Sequence, residues 1–168
     1  MSDSAEQPRT FRDAPVSFVR RSGRMSDAQE RAWAELAERY VIPVERDIAS
    51  TSIRAGSVLD PSAAFARSAA LYVEIGSGQG HAIVHAAASR PDDDFLAVEV
   101  FRAGLARTML DADRAGAGNL RLVEANAPEV LDRLLPEASV AEVWIFFPDP
   151  WHKNRHNKRR LVKHGFGA

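Results

Sequence analysis

Residues 71–80, Leu71-Tyr-Val-Glu-Ile-Gly-Ser-Gly-Gln-Gly80, decide the fold. A short apolar run ends in three glycines at alternate positions, and an Ala-rich stretch, His81 to Ser89, follows at once. A run of that length closed by glycine reads as a buried strand, and the stretch after it as a helix. The same rhythm then repeats. Phe95 to Val100 is a second apolar run, followed by a predicted helix from about Arg102 to Ala115. Asn119 to Val123 is a third, followed by a predicted helix from about Pro128 to Leu135, and Val140 to Phe147 is a fourth, ending at Pro148. Strands alternating with helices across short connections predict an α/β domain, with parallel strands and helices on both faces of the sheet. The strand-end residues Glu74, Glu99 and Asn126 lie 25 and 27 residues apart, about one βα unit each.

Outward from this block the chain is less regular. Ser26-Asp-Ala-Gln29 has capping-box spacing and opens a predicted helix to about Tyr40, with Trp33, Leu36, Ala37 and Tyr40 on one face. Pro43 stops it. Asp60-Pro61 is a second helix start. Residues 1–25 combine prolines, Gly23 and scattered Arg without periodicity and read as a flexible basic arm; 26–168 form the domain. The 168 residues suffice for one cored domain, and the absence of cysteine excludes disulfides and thiol nucleophiles and suits a cytoplasmic location. The N-terminus lacks the apolar core of a signal peptide, and no run approaches the roughly 20 apolar residues of a membrane span. A net charge of −1 conceals a basic segment: Lys153 to Lys163 holds six Lys/Arg and no acid.

Ligands of open parallel sheets bind outside the carboxyl ends of the strands. At the first end, Gly76, Gly78 and Gly80 let the backbone approach a ligand closely, and Glu74 stands two residues before them. The spacing is G-x-G-x-G, not the dinucleotide G-x-G-x-x-G, and a carboxylate there repels a pyrophosphate but attracts the amino and sulfonium groups of S-adenosylmethionine. Glu99, 19 residues beyond Gly80, is placed to accept from ribose hydroxyls. Asn126 serves either to read an adenine edge or to cap the next helix. The fourth end, Phe146-Phe-Pro-Asp-Pro-Trp-His-Lys153, fixes Asp149 between two prolines beside Trp151, a plausible pocket for a flipped base. The basic run that follows, Arg155 to Arg160, suits an RNA backbone. His81/His85 and His152/His156 are four apart, but without H-E-x-x-H or cysteine no metal site is expected.

The segment Phe146 to Lys153, continued by Asn-Arg-His-Asn-Lys-Arg-Arg160, resembles the bacterial tRNA (guanine-N7)-methyltransferase family. Glu74 to Gly80 looks like its cofactor loop, Ala97-Val-Glu99 like its ribose-binding strand end, and Arg20 to Gln29 like its N-terminal segment. The resemblance implies a Rossmann-like class I methyltransferase sheet and transfer of a methyl group from S-adenosylmethionine to N7 of a variable-loop guanine in tRNA. It implies cofactor contacts from Glu74, Gly76, Gly78, Gly80, Glu99, Asn126 and Asp149, with Asp149 at the reaction centre. Lys153 would bind substrate, and Arg155, His156, Asn157, Lys158, Arg159 and Arg160 would touch RNA. Asn126 stands where the family often has Asp. Past Val162 the family continues through a further helix, strands and a T-x-x-E-type segment, so the C-terminal strands are expected to be missing here. Guanine N7 carries a free lone pair, so no general base is required. Two alternatives remain: a nicotinamide-dependent oxidoreductase, and a fragment that binds tRNA or cofactor without transfer. Oligomeric state is open.

Overall fold

The computed structural model describes residues 24–47, 51–146 and 161. Four strands, β1 (Leu71–Ile75), β2 (Asp94–Glu99), β3 (Leu120–Glu124) and β4 (Glu142–Ile145), pair in the order β3-β2-β1-β4, and every pairing is parallel. The helices are α1 (Asp27–Tyr40), α2 (Pro61–Phe65), α3 (His81–Ser89), α4 (Arg102–Ala115) and the single turn α5 (Ala127–Glu129). The order reverses beside β1, because the chain first builds outward through β2 and β3 and then returns to add β4 on the other side. Such a reversal opens a crevice at the strands' carboxyl ends.

Period-2 alternation sorts the strand residues onto two faces. Phe95 and Ala97 join Leu120 and Leu122 in a core with Ile83, Leu105, Ala106 and Met109 of α3 and α4, and with Tyr40 of α1. Leu96 and Val98 join Val73, Ile75 and Val123 in a second core, covered by Ile53, Leu59, Phe65, Val130 and Leu134. Helices therefore cover both faces, as the alternation requires.

Local signals explain most boundaries. Ser26 caps α1, and both bonds of the capping box are present: Gln29 N–H donates to Ser26 Oγ, and Ser26 N–H donates to Gln29 Oε1 at 2.9 Å. Asp60 caps α2 by accepting from Ser62 N–H at 2.9 Å. After α1, Val41 bridges Leu122, and Ile42 N–H donates to Leu122 carbonyl oxygen at 2.9 Å, so this segment shields part of the outer edge of β3.

Two expectations change. The helix predicted from Pro128 to Leu135 is one α-turn followed by a π-helical segment, Val130–Leu134, closed by the Leu135 N–H to Val130 carbonyl bond at 3.0 Å. Pro136 disfavours helical backbone at Leu135, which is extended (φ −87°, ψ 130°), so the segment ends there. The fourth strand is shorter than the apolar run Val140 to Phe147: Glu142–Ile145 pairs only with β1 among the described residues, and Val143 and Phe146 are exposed. The arm at 1–23 and the segment from Phe147 to Arg160 lie outside the described residues, whereas Met25 packs against the α1/α4 core.

Candidate cofactor site at the strand carboxyl ends

The glycine loop leaves β1 with Gly76, Gly78 and Gly80 all at positive φ (70°, 59° and 76°). Gly76 N–H donates to Val98 carbonyl oxygen at 2.8 Å, tying the loop's start to β2. Gly80 must lack a side chain for two reasons: its φ is left-handed, and a Cβ would strike Thr108 of α4. Gly104 of α4 is equally constrained, because a Cβ there would strike the carbonyl oxygen of Gly78. Sequence reasoning missed this support; the available signal was a glycine inside an otherwise helical pattern.

Glu74 is buried, and its strand parity turns it away from Val73 and Ile75 toward α3. The Ile83 amide near the start of α3 hydrogen-bonds its carboxylate, while Oε2 finds no partner among the described residues. Burial pushes its pKa up to about 7; the Ile83 hydrogen bond opposes the shift and the nearby Glu99 charge adds to it.

Glu99 closes the opposite wall. Its Oε2 accepts from Gly78 N–H at 2.9 Å, and its Oε1 accepts from the Val100 and Phe101 amides at 2.7 and 3.0 Å. The carboxylate therefore fastens the glycine loop to the start of α4. A carboxylate has about four acceptor positions, so three amides leave one for a hydroxyl.

Asn126 occupies the N-cap position of α5, but its side chain makes no capping bond, contrary to that expectation. Residue N2 is Pro128, which has no N–H, and Glu129 N–H donates to the Asn126 carbonyl at 3.1 Å. No suitable amide is left for Oδ1. Instead Nδ2 donates to Glu129 Oε1 at 3.2 Å, and the buried Oδ1 has no partner among the described residues.

The site thus offers Glu74 Oε2 and Asn126 Oδ1, two buried acceptors without a donor among the described residues, together with a loop in which Gly76, Gly78 and Gly80 carry no side chain. Buried polar atoms are ordinarily paired, so this shortage fits a ligand that brings its own N–H groups. An ammonium and a nucleobase amino group supply that chemistry. Asp149, Lys153 and Arg155, His156, Asn157, Lys158, Arg159 and Arg160 lie outside the described residues. A separate groove of about 350 Å³, between residues 42–45 and 55–59, contains none of the predicted site residues. Among the described residues no group of His, Asp or Glu could hold a metal, and no helix is long and apolar enough to cross a membrane.

A parallel sheet in this order, with a glycine loop after β1, Glu74 next to the end of β1 and Glu99 at the end of β2, is a Rossmann-like α/β domain of the methyltransferase type. Residues 68–167 match the model of a family described as "Putative methyltransferase", and the chain belongs to that family. It is 50% identical to a tRNA (guanine-N(7)-)-methyltransferase of Paenarthrobacter aurescens, over 100% of this chain and 60% of that protein. The protein of the same name from an Arthrobacter species is 54% identical over 95% of this chain and 50% of its own length. That from Cutibacterium acnes is 49% identical over 88% and 53%. The chain spans 50–60% of the length of these curated relatives.

Proposed function

We propose that this chain carries the cofactor-binding part of an enzyme that transfers a methyl group from S-adenosylmethionine to N7 of guanine in tRNA, at a variable-loop guanine. The observation that carries the reading is the pair of donor-seeking acceptors beside the glycine loop, Glu74 Oε2 and Asn126 Oδ1. The family membership and the names of the relatives supply the reaction class.

The bound cofactor supplies an electrophilic methyl on a sulfonium. Glu74 holds the cationic amino end, and it ionises as it does so. Glu99 uses its remaining acceptor position for a ribose hydroxyl, and Asn126 accepts from the adenine amino group. Gly76, Gly78 and Gly80 leave room for close backbone approach. Asp149 orients guanine through its donor edge and offsets the positive charge that moves onto the base, while Lys153 contacts the substrate. Arg155, His156, Asn157, Lys158, Arg159 and Arg160 contact RNA, with the Lys and Arg side chains neutralising phosphates, so binding weakens as salt rises. N7 attacks through its own lone pair, so no residue needs to remove a proton.

The test is tritiated methyl transfer from S-adenosylmethionine to bulk tRNA, mapped by cleavage at 7-methylguanine. Label at a variable-loop guanine supports the proposal. Cofactor binding without transfer by this chain indicates that it binds but does not complete the reaction. Folded protein that neither binds nor transfers refutes the reading of the glycine loop.

A further inference from the structure

We infer that Glu129 is a positioning residue that fixes the amide of Asn126 with its acceptor free, so that the site selects a 6-aminopurine over a 6-oxopurine. The inference rests on the cofactor reading above and adds a specificity determinant to it.

An ionised carboxylate only accepts hydrogen bonds, so the amide atom that faces it must be the N–H donor. Glu129 Oε1 accepts from Asn126 Nδ2 at 3.2 Å, which commits the other end of the amide, Oδ1, to the buried position that has no partner among the described residues. Glu129 is itself held. Its Oε2 accepts from Ile53 N–H at 2.8 Å and lies 4.0 Å from Arg133 Nη1, one helical turn on. Arg133 in turn donates to the Ile53 carbonyl at 3.4 Å, and Asn126 N–H donates to the Thr51 carbonyl at 2.8 Å. The amide is thereby fastened at both its backbone and its side chain.

The consequence is chemical. Free asparagine presents a donor or an acceptor with equal ease, and an adenine 6-amino group needs an acceptor. With Glu129 in place, Asn126 presents only its acceptor, the one capability that an aspartate at this position would also have. A 6-oxo group at that point would meet oxygen against oxygen.

The test measures binding of two probes, S-adenosylhomocysteine and its deaminated 6-oxo counterpart S-inosylhomocysteine, by titration calorimetry. Wild type is expected to prefer the 6-amino compound. In Glu129→Gln the glutamine keeps the Ile53 contact through its oxygen and turns its own NH2 toward Asn126. The Asn126 amide then reverses, and the preference falls by about tenfold or inverts. In the double variant Asn126→Asp/Glu129→Gln the preference returns, because a carboxylate has no donor end to turn inward. A cooperative thermal unfolding transition and a wild-type circular dichroism spectrum serve as the folding control for each variant. Unchanged discrimination in Glu129→Gln overturns the inference while leaving the cofactor site intact. A double variant that binds but does not recover discrimination overturns it too, since Glu129 would then act only as a structural tie. If folded wild type binds neither probe, the cofactor reading fails, and this inference falls with it.

Discussion

Replacing Glu74 by Gln should stabilise the ligand-free protein in alkaline solution and weaken its hold on a cationic ligand. The carboxyl group sits at the buried end of β1, and its pKa is raised from 4.5 to about 7 by burial, with a smaller contribution from Glu99. Between those two values the folded chain keeps a proton that the unfolded chain has lost. Stability from this residue is thus complete below about pH 4.5, falls as pH rises toward 7, and is gone above it. At about 1.4 kcal/mol per pH unit, the interval corresponds to at most about 3.5 kcal/mol. Relaxation of the surroundings around the charged form lowers this to a working figure of roughly 1–2 kcal/mol, or about 3–6 °C in Tm. Thermal unfolding of wild type and Glu74→Gln, from pH 4 to pH 9, isolates the effect, because all other titrating groups are common to both. The Tm difference should grow in favour of the variant across the window and level off above it. S-adenosylhomocysteine should bind the variant about tenfold more weakly at pH 8. A Tm difference independent of pH would refute the argument, since an uncharged packing effect has no reason to follow this titration.

Three further outcomes test the scaffold. Gly104→Ala should lower stability by about 1–3 kcal/mol in urea unfolding, despite alanine's better helix propensity, because its Cβ meets the Gly78 carbonyl oxygen; it should also weaken S-adenosylhomocysteine binding. Arg67→Ala should cost about 2–3 kcal/mol by the same assay, since Arg67 pairs with the buried Asp94 at 2.7 Å and donates to the Pro91 and Asp93 carbonyls; an effect below about 0.5 kcal/mol would show that water replaces it. Tyr40→Phe should leave stability unchanged or raise it by up to about 1 kcal/mol, because the buried hydroxyl has no hydrogen-bond partner among the described residues; a marked loss would reveal a bound water.

The sheet was legible because its signal is collective. Each strand is an apolar run of five or so residues, each helix follows within a short connection, and a one-residue error in any boundary leaves the alternation intact. The placement of Glu74, Gly76, Gly78, Gly80, Glu99 and Asn126 at or just beyond strand ends was legible for the same reason: a strand end is a place that topology makes special before any side chain is considered. What escaped is held by single contacts between distant parts of the chain. Val41 and Ile42 read as the tail of a helix stopped by Pro43, yet they lie along β3, some 80 residues away in sequence. Gly104 is one glycine in a good helix, and its reason for being glycine is the Gly78 carbonyl. Glu129 left a trace, since Asn126-Ala-Pro-Glu129 has capping-box spacing. The proline between them removes the N2 amide, and the N3 amide of Glu129 donates to the Asn126 carbonyl instead of to its side chain.

That substitution of roles points to how the site was assembled. Tyr40 Oη, Arg46 Nη1, Glu74 Oε2, Ser77 Oγ and Asn126 Oδ1 are buried and unpartnered among the described residues; three of these five belong to the strand ends and the glycine loop. A fold under no constraint beyond stability would pair such atoms or replace them, because each unpaired one costs about 1–3 kcal/mol. On the proposed reading, Glu74 without a second donor and Asn126 fastened through its Nδ2 keep two acceptors ready for a ligand. The Ile83 amide behind Glu74 and Glu129 behind Asn126 would then hold that arrangement, so that binding needs little reorganisation.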